Sequence, residues 1–389
     1  MLFLGLLFER SEECTIAKKS GGVVQNQTNT FQWNCIDGLY ENGVEALHII
    51  NALPVGTYPK GYSDIKIESK TWTYKCDTHY QIGSLNLPVL KQWGRYRECK
   101  KLIKKIGDKN ILIYSAYQPF LKAIKKLDKS YNVTLIVPDL PEFYDYSKSS
   151  KLRKALRKLN NRSIYRCMSR VDNFVLLTEE MKNPLNVGNR SYTVVEGICA
   201  SEPPSYVREE IANKKAILYA GSLNVKFGID VLLDAFEQIE NYEYELWICG
   251  GGDGASRVEE IARNDSRVKY FGFVPKEKVL ELQSRASVLV NPRQNNGEYT
   301  KYSFPSKMME YLLSGVPVVA YKLDGYPPEY DAYFNYVEDN TPHSLAQKLI
   351  EVCEDEADRC KLVANKAVEF VIKQKNPRAQ ARKIIKTMG

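Results

Sequence analysis

The stretch AILYAGSLNVKFGIDVLLDAF, residues 216–236, contains an apolar run of strand length, a glycine turn and a helical pattern one after another. The alternation continues along the chain, and further helices are predicted at 254–263, 275–284 and 305–314. Strands that alternate with helices predict a parallel sheet with crossover helices on its faces. We therefore predict a doubly wound α/β domain over residues 216–375, in which ligands bind beyond the carboxyl ends of the strands.

The first half of the sequence repeats this alternation, so a second Rossmann-like domain is predicted over residues 1–200. Its predicted strands cover residues 2–8, 45–50, 64–76, 110–115, 132–137, 172–177 and 192–196. Its predicted helices cover residues 28–42, 91–106, 118–128 and 147–168. Residues 201–215 contain two adjacent prolines and no clear period, which predicts an interdomain linker. Residues 376–389 are predicted to form a C-terminal helix that crosses back to the first domain. A chain of 389 residues exceeds what one core usually serves, and two such domains are expected to face a central cleft.

Composition narrows the class of protein. No apolar stretch approaches the roughly 18 residues of a membrane helix, and the initial MLFLGLLF is predicted to be a first buried strand rather than a signal peptide. We therefore expect a cytoplasmic protein. Nine cysteines without a C-x-x-C pair are typical of reduced thiols rather than disulfides or a zinc site.

The net charge of +8 is concentrated in the first half of the chain. Residues 1–200 hold 30 Lys/Arg against 19 Asp/Glu, whereas residues 201–389 hold 25 against 28. The densest basic stretch, residues 147–170, has nine Lys/Arg and no acid, with leucines at helical spacing. This pattern fits a helix lying on an anionic membrane surface, at the inner face of the membrane, and fits equally a solvated face of a packed helix. Nucleic acid is not expected as a partner, because no groove-reading motif or aromatic RNA platform is found.

A second decisive stretch is YSFPSKMMEYLLSGVPVV, residues 302–319. Pro305 suits the first turn of a helix, where its missing N–H would have no partner. The N–H groups of that turn, together with the cations Lys307 and Arg293, form a predicted phosphate site. Glu310 lies one to two turns into the helix, where its carboxylate can accept hydrogen bonds from a ribose diol. Gly315 is predicted to end the helix.

The stretch 302–319 resembles the donor-binding motif of glycosyltransferase family 4, whose members are retaining enzymes with the GT-B fold. Residues 219–236, 246–254 and 270–292 are similar to further segments of that family's donor domain, in the same order, and SGGVVQ at 20–25 resembles its glycine loop. VPDLPEFY and VDNFVLLTEEM look like segments of bacterial members that assemble capsule or exopolysaccharide. The residues that the predicted site and the resemblance together assign to donor binding are Gly21, Gly22, Gly221, Ser222, Lys226, Phe273, Arg293, Ser303, Phe304, Ser306, Lys307 and Glu310.

The sequence departs from the family pattern near the reacting sugar. The family has a second acid eight residues before the ribose glutamate, and Tyr302 occupies that position, with Glu298 four residues earlier as a substitute. The phosphate loop has Ser222 where the family has arginine. None of the three histidines follows a predicted strand in the way the family's first-domain histidine does. The candidates for catalysis are therefore Asp139, Tyr117, Glu298 and Tyr302.

The resemblance implies transfer of a sugar from a nucleotide donor to an acceptor hydroxyl with retention, without a cofactor or a metal ion. A UDP-sugar is the expected donor, with GDP- and dTDP-sugars as alternatives. The basic first domain indicates a lipid-linked saccharide as the acceptor, as in capsule or exopolysaccharide assembly. Two other functions are compatible with the same residues: a nucleotide-sugar epimerase, and a nucleotide-sugar-binding module without catalysis. A nicotinamide-dependent oxidoreductase is disfavoured, because the glycines of GGGDG have the wrong spacing for the dinucleotide fingerprint and follow the second strand.

Overall fold

The computed structural model describes residues 1–22, 25–143, 151–199, 214–355 and 359–389. The chain divides into two compact units: unit 1 comprises residues 1–198 and 377–389, and unit 2 comprises residues 199–376. Most of the predicted linker, residues 201–213, lies outside the described residues, as do residues 147–150 of the predicted basic helix.

Unit 1 is built on an eight-stranded sheet in which all neighbouring strands are parallel except one terminal hairpin pair. The strands of unit 1 in chain order are β1 (Leu2–Gly5), β2 (His48–Asn51), β3 (Lys66–Ile67), β4 (Lys70–Tyr74), β5 (Asp77–Gln81), β6 (Ser84–Leu85), β7 (Asn110–Tyr114), β8 (Asn132–Val137), β9 (Asn173–Leu176) and β10 (Ser191–Val194). The strand order is β10-β9-β8-β7-β1-β2-β5-β4, and β3 pairs with β6 in a separate ribbon. β1 thus lies between β2 and β7, and the chain order reverses there.

The helices of unit 1 connect these strands. They are α1 (Glu13–Lys19), α2 (Asn26–Glu41), α3 (Leu90–Ile106), α4 (Gln118–Ile124) and α5 (Lys151–Met168). Unit 2 holds α6 (Ile229–Glu237), α7 (Ala255–Asn264), α8 (Lys276–Arg285), α9 (Lys307–Leu313), α10 (Pro342–Cys353) and α11 (Arg359–Gln374), and the last helix, α12 (Pro377–Met388), belongs to unit 1.

Unit 2 contains a fully parallel six-stranded sheet. Its strands are β11 (Lys215–Ala220), β12 (Tyr244–Cys249), β13 (Val268–Gly272), β14 (Val288–Asn291), β15 (Val318–Ala320) and β16 (Asn335–Tyr336), in the order β13-β12-β11-β14-β15-β16. Buried residues on the two faces of the sheet form two separate hydrophobic clusters. Apart from Lys215 and Glu245, the residues of β11 and β12 are buried and apolar, as expected of parallel strands that helices cover on both faces. The prediction of two doubly wound, Rossmann-like units is confirmed.

The predicted single strand at 64–76 is wrong. The structure divides it into β3 and β4, and β4 turns back at Lys75 and Cys76 to pair antiparallel with β5. Both turn residues have positive φ, 46° and 71°, which is the geometry of a two-residue hairpin loop. Such loops usually carry glycine or asparagine, and this one carries neither, so the sequence gives no turn signal.

The helix that follows residue 302 begins later than predicted. α9 starts at Lys307 with Ser306 at its N-cap, so Pro305 precedes the helix instead of lying in its first turn. The Pro305 carbonyl accepts a hydrogen bond from the Met308 N–H at 2.9 Å, which occupies one of the amides that the sequence left for a phosphate. At the other end, Ser314 is the C-cap and Gly315 has a φ of 70°.

Candidate functional site

The carboxyl ends of β11 and β14 define the place where a ligand would bind to unit 2. From β11 the chain proceeds to β12 on one side of the sheet and later to β14 on the other, so the strand order reverses between β11 and β14. Ligands of doubly wound sheets bind outside the carboxyl ends of the strands at this switch point. Gly221 and Ser222 follow β11, and Arg293 follows β14. The switch point therefore brings together three residues that the sequence assigned to donor binding.

Close backbone packing explains two glycines at this edge. Gly250 has a φ of 132°, and a Cβ there would lie 1.8 Å from the Gly221 carbonyl oxygen. Gly228 has a φ of 88°, and a Cβ there would lie 2.0 Å from the Pro292 carbonyl oxygen. Any side chain at either position would force the loops after β11, β12 and β14 apart. These glycines hold the strand-end loops together, and GGGDG takes part in that packing.

Arg293 is a buried cation at the switch point. Its side chain is 9% exposed, and its guanidinium donates a hydrogen bond to the Ser303 hydroxyl at 2.8 Å. It lies over the rings of Tyr299 and Phe227, at 4.7 and 5.3 Å from their centroids. The Nε atom is buried without a hydrogen-bond partner, and none of the described carboxylates forms an ion pair with the side chain. A buried guanidinium without an anionic partner is costly, so an anion from a ligand would stabilise it.

Helix α9 is tied directly to the end of β11. The Tyr311 hydroxyl accepts a hydrogen bond from the Ala220 N–H at 2.9 Å and lies 3.3 Å from the Ala220 carbonyl. Burial raises the pKa of Tyr311, so the phenol stays protonated and can donate to that carbonyl. Because Ala220 is the last residue of β11, this contact holds α9 at the carboxyl end of that strand.

Glu310 lies in the first turn of α9, and a side chain from the neighbouring helix α8 binds its carboxylate. The Gln283 amide, on α8, donates to a Glu310 carboxylate oxygen at 2.9 Å. Gln283 is almost fully buried, and its own carbonyl oxygen has no hydrogen-bond partner. The hydrogen bond restricts the rotamers of Glu310 and leaves its second carboxylate oxygen for another donor.

Lys307 adds a second cation at this edge. Burial lowers the pKa of its ammonium, and the nearby Glu310 carboxylate partly offsets this effect. The Cys249 thiol, at the end of β12, interacts electrostatically with the same ammonium. Lys307 therefore lies near the end of β12, on the same helix as Glu310.

The remaining predicted donor residues of unit 2 have different surroundings. The Phe304 side chain packs against Tyr326 and Tyr330 in the hydrophobic core, so its ring cannot contact a ligand, contrary to the prediction. Phe273 follows β13 and is 94% exposed. Lys226 lies over the Phe227 ring, and Ser306 is exposed at the N-cap of α9.

The two catalytic candidates of unit 2 lie on the loop between β14 and α9. Glu298 is exposed, in a short 3-10 helix, and Tyr302 is half-buried. Tyr299, which the sequence did not single out, lies between them. Its hydroxyl donates to the Lys226 carbonyl at 3.0 Å while its ring contacts the Arg293 guanidinium, so it connects the loops that follow β11 and β14. An aromatic residue in a polar loop is the only signal in the sequence that could have indicated this role.

Unit 1 holds the other candidates. Gly21 and Gly22 have φ values of 61° and 85° and lie after α1, and the Gly22 N–H donates to the Ala17 carbonyl at 2.9 Å. They therefore end a helix that the sequence did not predict. Open space surrounds the Cβ position of both glycines.

Asp139 and Tyr117 follow the neighbouring parallel strands β8 and β7. Asp139 keeps an exposed surface, yet desolvation by the surrounding protein raises the pKa of its carboxyl to about 6. Tyr117 is half-buried, and its hydroxyl accepts a hydrogen bond from Arg95 at 2.9 Å and donates one to Gln92 at 2.8 Å. Both candidates thus lie at the ligand-binding edge of the unit 1 sheet.

Each of the three histidines contacts a backbone or side-chain group of the protein. The Nδ1 atom of the buried His79 accepts a hydrogen bond from the Ile49 N–H at 3.1 Å, and burial lowers the pKa of the ring. His48 contacts the Thr78 carbonyl, and His343 lies near Gln238. In the part of the chain that the structure describes, no three His, Cys, Asp or Glu side chains are grouped as metal ligands. No described helix is long and apolar enough to cross a membrane.

The chain thus folds into two doubly wound units, one of which has a buried arginine, a half-buried lysine and a carboxylate near its switch point. Residues 207–369 match the family model described as glycosyl transferases group 1. No curated protein matches the sequence significantly.

Solved structures with this fold are similar over the whole chain. Sucrose-phosphate synthase from Thermosynechococcus elongatus has 15% identity and a TM-score of 0.69, with 99% of this chain and 98% of that chain covered. The E. coli trehalose-6-phosphate structure bound with UDP-2-fluoro glucose has 10% identity and a TM-score of 0.66, with coverage of 100% and 98%. The lipopolysaccharide outer core galactosyltransferase WaaB has 14% identity and a TM-score of 0.64, also with coverage of 100% and 98%. At such low identity these likenesses show the fold, which is GT-B. The fold and the family match together support a GT-B glycosyltransferase.

Proposed function

We propose that the protein is a retaining, metal-independent glycosyltransferase that transfers a hexose from a nucleotide sugar, preferably a UDP-sugar, to an acceptor hydroxyl. The observation that carries the proposal is Arg293, a buried cation without a described carboxylate partner at the switch point of the unit that matches the family model. A nucleotide diphosphate supplies the missing anion. The protein solved with UDP-2-fluoro glucose and sharing this fold supports the choice of donor.

The proposed roles follow from the geometry of unit 2. Arg293 and Lys307 bind the diphosphate, and the loop at Gly221 and Ser222 approaches it with backbone groups because no side chain projects from Gly221. The free oxygen of Glu310 accepts hydrogen bonds from the ribose, while the Gln283 amide holds the other oxygen. Each role uses a group that the fold has already oriented, which lowers the entropic cost of binding.

The same residues assist the chemistry. Negative charge grows on the leaving phosphate oxygen as the glycosidic bond breaks, and cations fixed nearby stabilise that charge. Arg293 is well suited to this task, because its stacking on Tyr299 and its hydrogen bond to Ser303 leave it little reorganisation to undergo. In the proposed route the leaving phosphate accepts the proton of the incoming hydroxyl, so that no protein nucleophile is required.

The proposed acceptor is a lipid-linked saccharide at a membrane surface, used in assembly of a surface polysaccharide such as capsule or exopolysaccharide. The support is helix α5. Its C-terminal half packs into unit 1 through Ile164, Cys167 and Met168, whereas Leu156 and Leu159 are 57% and 59% exposed among basic residues. Exposed leucines with flanking Lys and Arg match a helix that inserts apolar side chains between anionic lipids.

The donor site is tested by thermal shift with UDP, GDP, dTDP, ADP and NADH, because a ligand that binds only the folded state raises the melting temperature. We expect one nucleoside diphosphate to raise the melting temperature of the wild type, and Glu310→Ala to lose that shift. Glu260→Ala, an exposed glutamate on α7, is the matched control and should keep the shift. If no nucleotide shifts the wild type at millimolar concentration, the donor site is wrong.

Product analysis then separates the enzyme from its alternatives. With the identified nucleotide's sugars and a lipid-linked saccharide extract as acceptor, a transferase releases the nucleoside diphosphate in an acceptor-dependent reaction. An epimerase converts the nucleotide sugar without releasing the diphosphate, and a binding module releases nothing. Tyr302, at the position of the family's second acid, makes this comparison necessary.

A further inference from the structure

The buried face of helix α3 carries two cations where a packed helix normally has apolar residues. The buried side chains of this helix are Lys91, Arg95, Cys99 and Ile103, at successive intervals of four residues. This spacing puts them on one stripe of the helix. Lys91 is 4% exposed and Arg95 is 3% exposed. Lysine and arginine are almost never this buried unless paired, so the stripe needs an explanation.

Neither cation has an acidic partner among the residues that the structure describes. The Lys91 ammonium donates to the Val55 and Gly56 carbonyls, at 2.5 and 3.0 Å. Arg95 donates to the Leu53 carbonyl at 2.6 Å and to the Tyr117 hydroxyl at 2.9 Å, and its Nε atom is buried without a partner. No described carboxylate forms an ion pair with either side chain. Burial and the charge of Arg95 lower the pKa of Lys91 to about 7, as expected for two like charges without compensation.

The pair lies where a ligand of unit 1 would bind. Leu53, Val55 and Gly56 follow β2, and Tyr117 follows β7, so the cations connect the loops on both sides of β1, where the strand order reverses. The Tyr117 hydroxyl also contacts Gln92, whose side chain is exposed, so the pair is close to solvent on that side. Carbonyl contacts satisfy hydrogen bonds but leave the charge of Arg95, and of Lys91 when it is protonated, uncompensated.

We propose that Lys91 and Arg95 bind a phosphate group of the acceptor. This assignment of the ligand as acceptor rests on the proposed glycosyltransferase function. A phosphate monoester carries a charge of about −1.5 to −2 at neutral pH, which matches the two cations, and its oxygens accept hydrogen bonds from both side chains. A phosphate on a lipid and a phosphate on a sugar offer the same oxygens to this pair.

The test is calorimetric titration of the full chain with three probes, inorganic phosphate, glucose 6-phosphate and geranyl phosphate, in the presence of a saturating concentration of the nucleoside diphosphate that raises the melting temperature most, or of UDP if none does. That nucleotide occupies a functional donor site, so the titration reports a second site. We expect Lys91→Met and Arg95→Gln to weaken binding at least tenfold, and Lys101→Met, which removes an exposed cation from the same helix, to change it less than twofold. Tighter binding of geranyl phosphate than of the other two probes assigns a lipid phosphate, and tighter binding of glucose 6-phosphate assigns a phosphosugar.

A second variant covers the case in which Lys91→Met does not fold. Gln92→Glu adds a carboxylate at an exposed position beside Tyr117 and keeps an acceptor for its hydroxyl, so the melting temperature should stay the same while phosphate affinity falls severalfold. The proposal is overturned if the wild type binds none of the probes, or if Lys307→Met abolishes binding while Gln92→Glu and Lys91→Met leave it intact. Failure of the donor site has a different signature, namely no shift with any nucleotide while Lys91→Met still abolishes phosphate binding.

Discussion

The hydroxyl of Tyr311 accepts a 2.9 Å hydrogen bond from the N–H of Ala220. This contact attaches helix α9 to the last residue of β11, a central strand of unit 2. The two residues are 91 positions apart in the chain. Glu310, the proposed ribose ligand, directly precedes Tyr311, and Lys307 lies one turn earlier. The geometry of the proposed donor site therefore depends on a contact made by a residue that is not itself part of it.

Tyr311→Phe should destabilise the protein and loosen the donor site together. The substitution leaves the buried Ala220 N–H without this acceptor, which costs about 1–3 kcal/mol of unfolding free energy. Urea denaturation should show a lower midpoint with an unchanged slope, and the nucleoside diphosphate should bind more weakly. Tyr242→Phe, at an exposed tyrosine, is the control and should leave both quantities unchanged. Unaltered nucleotide affinity in Tyr311→Phe would show that the contact does not position the site.

Arg293→Met should separate ligand binding from stability. Removing a buried cation that has no anionic partner is expected to leave the melting temperature of the free protein unchanged or to raise it. The same variant should lower kcat/KM for the nucleotide sugar roughly tenfold to a hundredfold, since a hydrogen bond to a charged group contributes about 1.5–3 kcal/mol. Steady-state kinetics and a thermal melt without ligand measure the two effects. A large loss of stability with normal kinetics would make Arg293 a structural residue.

Local sequence pattern predicted most of unit 2, because buried parallel strands and crossover helices have distinct periods. It did not predict the hairpin of β4 and β5, because the loop at Lys75 and Cys76 has left-handed geometry without glycine or asparagine. The start of α9 was two residues early, because Pro305 fits both the first turn of a helix and the position before its cap. These errors concern element ends and turns, where one or two backbone angles decide the outcome.

Partners distant in sequence could not be predicted in the same way. Glu310 was identified from its spacing, but the Gln283 amide that orients it lies 27 residues earlier on another helix. Phe304 is predicted to bind the donor because it lies in the 302–319 motif, yet its ring packs in the core. Lys91 and Arg95 are spaced for one helix face, but only the packed structure shows that this face is the buried one. Side-chain direction, rather than chain position, decides such cases.

Asp139 should give the reaction an acidic limb in its pH profile. Desolvation raises its pKa from 3.8 to about 6, so the carboxyl is protonated below pH 6 and ionised above it. If the ionised form takes part in the reaction, kcat/KM should rise through pH 6 and then level off, and Asp139→Asn should lower the plateau and abolish the limb.

The contribution of the Asp139 carboxyl to the stability of the wild type has the opposite pH dependence. A carboxyl whose folded pKa exceeds its unfolded value binds more protons in the folded state between the two pKa values, so its contribution to stability falls as pH rises from about 4 to 6. Asp139→Asn should therefore be at least as stable as the wild type at pH 7. Parallel pH–rate profiles for the two proteins would show that the Asp139 carboxyl takes no part in the reaction.

The exposed leucines of α5 should decide whether the protein binds membranes. The double variant Leu156→Ser and Leu159→Ser removes two apolar side chains that are more than half exposed. The protein should therefore keep its melting temperature. Flotation with vesicles containing anionic lipid at low salt should recover the wild type and lose most of the double variant, while purely zwitterionic vesicles should recover neither. Leu362→Ser, which alters a leucine of equal 59% exposure on α11, should float like the wild type. If the wild type does not bind anionic vesicles, the basic stretch is the solvated face of a packed helix. A lipid-linked acceptor would then have to reach the enzyme without help from helix α5.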